Sequence, residues 1–119
     1  MSRRMSCSIT VDAVRDRTKT VTRRHADTWT KLAAGDRLTL IEKGMGLKKG
    51  EHQVVLAEVE IVDVRLEPLA VMTDDDCAAE GFPGWPADRF AAMWLRSHGH
   101  HPASDPATVM VRRIEWRYL

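Results

Sequence analysis

The sequence predicts an α+β domain built as a small, mostly antiparallel β-barrel with short helices over its openings. Three observations lead there. Segments that alternate apolar and polar residues recur at four places along the chain, the period-two signature of half-buried strands. Short helical patterns with their own start and stop signals lie between them. The 119 residues allow one core of ordinary size and leave no room for a second, so a single domain over residues 1–119 is expected. Closing such strands into a barrel buries their alternating faces without exposing sheet edges. A flat two-layer sandwich is the second architecture the pattern admits.

The elements follow in order. Alternation from Met5 to Ile9 predicts a short strand around Ser6–Thr10 with Cys7 at a buried position. Thr10 is a good helix N-cap, and Val11 and Val14 then share one side of a helical turn. Arg15–Arg24 reads as too polar for the core. Trp29 and Leu32, three apart, predict another helical turn closed at Ala34-Gly35-Asp36. From Arg37 to Lys43, Leu38, Leu40 and Glu42 alternate with Thr39 and Ile41, which is strand-like. The glycine-rich basic segment Lys43–Gly50 follows as a hairpin loop, or as a flap able to close over an acidic ligand. It has no Walker pattern.

Between Gln53 and Arg65, Val55, Ala57, Val59 and Ile61 point one way and predict a fully buried face. Glu58 and Glu60 wet the centre of the other face, between Val54/Leu56 and Val62/Val64. Thr73-Asp74-Asp75-Asp76 resembles a capping box, because a threonine can cap free N–H groups and acids favour the positive end of a helix; this helix should stop near Gly81. A second helix starts at Pro86 and carries Phe90, Met93, Trp94 and Ser97 at helical spacing, with Gly99 placed to end it. Its aromatics are expected in the core rather than as a base-stacking platform. Ser97–Pro106 reads as a surface connection. Its His98, His100 and His101 lack a rigid frame for tetrahedral ligation, so no metal site is expected there. In the terminal strand Met110, Ile114, Trp116 and Tyr118 oppose Arg113, Glu115 and Arg117.

Composition narrows the function classes. Apolar residues at 44% and charged residues at 29% exclude a disordered or fibrous chain. No apolar run approaches the roughly 18–20 residues of a membrane span, and no signal-peptide pattern opens the sequence, so a cytoplasmic location is expected. Cys7 and Cys77, with no Cys-x-x-Cys pair, exclude a disulfide framework and a metal knuckle. The net charge is +1, yet residues 1–50 carry 12 Lys/Arg against 5 Asp/Glu and residues 51–119 carry 6 against 12. Nucleic acid is therefore not excluded, since binding depends on a local basic surface. Alternatively the two halves pack together and neutralise each other.

The densest basic segment is Asp16–Arg24, where Arg17, Lys19, Arg23, Arg24 and the adjoining His25 surround Thr18, Thr20 and Thr22. Charge and hydroxyls together suit a phosphate; a solvated basic turn is the simpler alternative. The run Thr18–Arg24, TKTVTRR, resembles the ASCH-domain signature G-x-K-x-x-T-x-R, with Lys19, Thr22 and Arg24 on its defining positions and Arg17 where the glycine stands. Similar features continue in Gly35-Asp36 opening a strand, the strand Val54–Val64, Ala79-Glu80-Gly81-Phe82 with Phe90 and Trp94 after it, and the strand Val111–Leu119. The resemblance implies a PUA-like β-barrel. It also implies binding of RNA or, as in small stand-alone bacterial members, an amidohydrolase that deacylates the exocyclic amine of acylated cytidine. In the hydrolytic members the motif lysine is the base, the motif threonine the nucleophile and the E-G-F glutamate the proton donor, which fall on Lys19, Thr22 and Glu80. Phage-encoded members are similar too, and no cofactor is implied.

That trio can be weighed as chemistry. A threonine hydroxyl needs a base within about 3 Å, and a lysine acts as base only when neutral. Burial and the cations Arg17, Arg23 and Arg24 favour a neutral lysine, while an ionised Glu80 opposes it. A protonated Glu80 against an apolar wall such as Phe82 or Trp85 would donate to the leaving amine. Binding alone uses the same residues otherwise: Lys19 and Arg24 clamp phosphate, Thr22 donates, and Glu80 accepts from the amino edge of cytosine or guanine. Arg17 would narrow the pocket or extend the phosphate track, and Arg23 would add to it. The expected function is binding of RNA or a nucleotide in this cleft, by a monomer or weak dimer with no membrane partner. Its alternatives are the amidohydrolase and a protein-interaction module dimerising through the charge split.

Overall fold

The computed structural model describes residues 3–43, 50 and 52–119. Its strands are β1 (Arg3–Ser6), β2 (Val21–His25), β3 (Arg37–Ile41), β4 (Val55–Pro68) and β5 (Met110–Tyr118), and its α-helices are α1 (Val11–Arg15), α2 (Asp74–Glu80) and α3 (Ala87–Ser97). One five-stranded sheet runs β1-β3-β4-β5-β2. The β1–β3 pair is parallel and the others are antiparallel. The sheet curls into a half-barrel, the α+β architecture expected, with one seam open between its edge strands β1 and β2. Across that seam Arg24 Nη2 donates to the Ser6 carbonyl at 2.5 Å.

Two apolar clusters hold the fold. Met5, Leu38, Leu40, Val59, Ile61, Ile114 and Trp116 fill the inside of the half-barrel, with Val14 of α1 against them. Cys77 of α2, Phe90, Trp94 and Leu95 of α3, and Val111 of β5 form the second cluster. Burying each large side chain of this kind contributes about 1.5–3 kcal/mol. The start and stop signals of α2 and α3 behave as their chemistry dictates, whereas Thr10 precedes α1 without a side-chain capping hydrogen bond. Thr73 and Asp76 cap α2 reciprocally, and Gly81 ends it at φ 102°. Pro86 precedes α3, which closes at His98.

Four local expectations are corrected. The first strand ends at Ser6 rather than starting there, although Cys7 is buried all the same. Trp29–Leu32 is a turn closed by Leu32 N–H to Trp29 carbonyl, with Trp29 itself at φ 55°. The buried face of β4 excludes Val55, which is half exposed, and it does not continue past Ile61. Ile61 opposes Trp116 while Asp63 opposes Glu115, so Val62 is an extra residue in a β-bulge. Beyond it the faces exchange: Val64 turns toward the inner cluster opposite Ile114, and Asp63, Arg65 and Glu67 turn outward. The Gly35-Asp36 turn grips the bulge, with Gly35 N–H donating to the Ile61 carbonyl and Ile61 N–H to the Asp36 carbonyl, both at 2.8 Å.

The fourth correction concerns Arg15–Arg24, expected to stay out of the core: Lys19, Val21, Thr22 and Arg23 are all buried. Polar groups tolerate burial when they are paired, and the pairing partners come from distant parts of the chain. The expected loop or flap at Lys43–Gly50 falls mainly on residues 44–49, which lie outside the described residues. Among the described residues no helix is long and apolar enough to cross a membrane.

Candidate functional site

The entry to the motif strand β2 is pinned through the backbone of Lys19 and Thr20. Thr20 N–H donates to the Ala79 carbonyl of α2 at 2.8 Å, and Lys19 N–H to the Ala13 carbonyl of α1 at 3.0 Å. The Lys19 carbonyl accepts from Trp116 Nε1 at 3.1 Å and from the Tyr118 hydroxyl at 2.5 Å. Two aromatic side chains of β5 thus use their polar tips to fix the lysine backbone. Gly81 brings α2 close to α1: a Cβ there would stand 3.0 Å from Ala13 Cβ and 3.1 Å from Thr10 Cγ2. Glycine is required by both the left-handed backbone and the approach.

These constraints bring Lys19 and Glu80 together. Lys19 Nζ donates to the Glu80 carbonyl at 2.5 Å and to its Oε1 at 3.2 Å. Arg23 Nη1 donates to Glu80 Oε2 at 2.8 Å. Arg23 Nη2 also lies 3.7 Å from Glu67 and 3.6 Å from Asp76, and its carbonyl accepts from Trp94 Nε1 at 3.0 Å. The first-half cations Lys19 and Arg23 are therefore neutralised by second-half acids, which is the packing alternative that the charge count left open. A buried set of this kind is held by mutual pairing, and removing one member strands the others.

A cavity of about 260 Å³ opens on this pair, with Lys19, Thr22 and Glu80 together in its lining. Phe90, Met93 and Trp94 of α3 supply an apolar wall, and Arg24 contributes from the seam. Thr22 is buried, lies in the lining and makes no side-chain hydrogen bond to any described residue. An unpaired hydroxyl in such a place is available to a ligand. The size falls just under the span of about 300–1,000 Å³ typical of small-molecule pockets. It fits one small planar group and not a helix of nucleic acid.

Not every expected site residue joins the cleft. Arg23 lines it but spends its guanidinium on Glu80, Glu67 and Asp76. Arg17 is outside the lining; its guanidinium sits 5.3 Å above the Tyr118 ring. Arg17 has φ 66°, the left-handed backbone that glycine adopts without cost, which is a conformational reason for a glycine at this motif position. Burial pushes the Arg24 guanidinium down, with Cys7 and Glu80 opposing the shift. Burial pushes the Cys7 thiol up against Lys19 and Arg24, so Cys7 is a protonated lining group and a poor nucleophile.

Sequence reasoning missed the rim. His98 stacks on Trp94 with centroids 3.9 Å apart and planes at 12°, and His25 meets His98 edge-on at 4.9 Å. Burial lowers the His98 pKa, and nearby His25, Arg24 and His100 act in the same direction. The i, i+4 spacing of Trp94 and His98 was the available signal. Among the described residues no cluster of three or more His, Cys, Asp or Glu is placed to hold a metal.

No family model and no curated protein matches the sequence. Two solved structures share the fold. A protein of Enterococcus faecalis V583 described by the family model DUF984 aligns with a TM-score of 0.68 at 13% identity, over 100% of this chain and 80% of that one. An ASCH domain of Lactobacillus crispatus JV V101 aligns with a TM-score of 0.58 at 11% identity, over 92% of this chain and 70% of that one. The fold is ASCH-like and PUA-like in its α+β half-barrel.

Proposed function

We propose that this chain, with its ASCH-like fold, binds a single nucleotide in the seam cavity, either free or at an unpaired position of an RNA. The observation that carries the reading is the unpaired Thr22 hydroxyl beside the buried Lys19–Glu80 pair, in a cavity sized for one base. The wall of Phe90, Met93 and Trp94 takes the faces of the base, Thr22 hydrogen-bonds its edge, and Glu80 accepts from an exocyclic amine. Arg24 stands at the seam for the phosphate side. Unpaired bases are the part of an RNA that a protein can enclose in this way.

The test is equilibrium binding of cytidine-containing single-stranded RNA and of cytidine 5′-monophosphate across a salt series. The reading expects RNA affinity to fall with salt and to fall again on Lys19→Ala. Absence of binding across nucleotides and a single-stranded RNA panel overturns it.

A second reading, deacylation of acylated cytidine, is supported by the hydrogen bond between Lys19 Nζ and Glu80 Oε1. A proton passed from Lys19 to Glu80 leaves the amine able to accept the Thr22 proton as Thr22 Oγ1 bonds to the acyl carbon. Glu80 then gives its proton to the leaving exocyclic nitrogen as the C–N bond breaks, and water hydrolyses the threonine ester. Release of cytidine from N4-acetylcytidine by the wild type and not by Thr22→Ala supports this reading. No turnover, or equal turnover by Thr22→Ala, removes it.

A further inference from the structure

Strands β2 and β5 place two arginine pairs directly opposite each other in adjacent registers, Arg23 with Arg113 and Arg24 with Arg112. Adjacent registers lie on opposite faces of a sheet. The first pair is on the outer face beneath α2. The second is on the inner face at the open seam, one row beyond the core row of Val64, Ile114 and Thr22.

The two pairs are treated differently. On the outer face Glu67 Oε1 lies 3.7 Å from Arg23 Nη2 and 3.6 Å from Arg113 Nε, and Glu80 and Glu115 each add a close contact of their own. On the inner face neither Arg24 nor Arg112 is ion-paired with any carboxylate among the described residues. Each donates once to a backbone carbonyl, Arg24 Nη2 to Ser6 at 2.5 Å and Arg112 Nη2 to Ala26 at 2.7 Å. On β4 the residue opposite Arg112 is Leu66, uncharged and half exposed.

Like charges directly opposite on neighbouring strands repel, and the partial burial of both guanidiniums sharpens the cost. The outer pair carries its own counter-charges; among the described residues the inner pair has no carboxylate at ion-pair distance, and Glu80 acts on Arg24 only from farther off. An anion from solution supplies what is missing. Guanidinium forks match phosphate oxygens in bidentate geometry, and each fork here has donors left over.

We infer that Arg24 and Arg112 form an anion site that holds the phosphate of the bound ligand, making a phosphorylated nucleoside, rather than a free nucleoside, the occupant of the cleft. The identity of the phosphate carrier rests on the nucleotide reading above; the anion site itself does not. Arg24 lines the cavity. Arg112, outside the motif and outside the cavity lining, is joined to the site through its place directly opposite Arg24.

Calorimetric titration of cytidine 5′-monophosphate, cytidine and inorganic phosphate into wild type, Arg112→Gln and Leu66→Glu tests this. Leu66→Glu keeps both arginines and sets a carboxylate beside them from an exposed position, so it bypasses any folding defect of Arg112→Gln. Wild type is expected to prefer the monophosphate over cytidine by tenfold or more, as charged hydrogen bonds allow. Both variants are expected to lose most of that preference, with cytidine affinity unchanged in Leu66→Glu. Equal wild-type affinity for cytidine and its monophosphate overturns the anion site and spares the cleft reading, as does a preference retained in both variants. If phosphate binds wild type but not Leu66→Glu while neither cytidine compound binds, the anion site stands and the cleft reading fails. No binding of any of the three overturns both.

Discussion

Arg23 Nη1 lies 2.8 Å from Glu80 Oε2, joining side chains that are 1% and 3% exposed. Arg23 is thereby the common counter-ion of Glu80, Glu67 and Asp76, and it holds the carboxylate that faces Lys19. Arg23→Met should lower stability by about 3–5 kcal/mol, because it takes the shared counter-ion from buried Glu80 and from Glu67 and leaves each with one fewer partner. The measurement is a lowered urea midpoint at unchanged slope. Glu80→Gln added to Arg23→Met should deepen the loss rather than repair it, since it also takes from buried Lys19 its carboxylate partner. A wild-type midpoint for Arg23→Met would contradict this role.

Gly81 closes α2 one residue after Glu80, at a backbone angle and a distance that exclude a side chain. Gly81→Ala should cost at least about 1–2 kcal/mol from the left-handed backbone alone, with the approach to Ala13 and Thr10 adding to it. Urea unfolding measures the loss. Ligand affinity should fall as well, because the same shift displaces Glu80.

His98 gives the protein an acid-side dependence. Burial holds its pKa below the ordinary 6.5, so the unfolded chain binds more protons than the folded one as pH falls through that value. Stability present above pH 6.5 is therefore lost on acidification. Unfolding midpoints measured between pH 7.5 and 5 should decline, and His98→Gln should flatten the part of the decline that this group carries. An unchanged slope in His98→Gln would place the acid sensitivity elsewhere.

Where the fold was legible, local chemistry acted without outside help. The Thr73–Asp76 cap, the Gly81 stop, the Pro86 start and the alternation of β5 depend on residues within one turn or one strand. The bulge at Val62 was not legible, because Ile61 is gripped there by the Gly35-Asp36 turn at the start of the neighbouring strand β3, about 25 residues earlier in the chain. The burial of Lys19 and Arg23 was missed for a related reason: their charges become tolerable only through Glu80, Glu67 and Asp76, all more than forty residues away along the chain. Lys19 and Thr22 were readable as candidates from the Thr18–Arg24 motif, and Glu80 from the Glu80-Gly81-Phe82 segment. Their common cavity depends on the open seam, which no single segment encodes.

Arg17 occupies the motif glycine position in a left-handed conformation, outside the cavity. Arg17→Gly relieves about 1–2 kcal/mol of backbone cost. It also loosens the unfolded chain and gives up the contact with Tyr118, terms that together offset much of the gain. Its midpoint should stay within about 1 kcal/mol of wild type, whereas the β-branched Arg17→Val should be clearly destabilised. Nucleotide affinity should be unchanged in Arg17→Gly; a tenfold loss would put Arg17 in the binding site.

The cleft itself is tested most directly by Thr22→Val, which keeps the shape of the buried side chain and removes only its unpaired hydroxyl. Cytidine 5′-monophosphate affinity, measured by calorimetry on wild type and variant, should fall up to about tenfold, the span of one neutral hydrogen bond, with the unfolding midpoint essentially unchanged. Equal affinity in the two proteins, or no binding by the wild type, would contradict a nucleotide site at Lys19, Thr22 and Glu80.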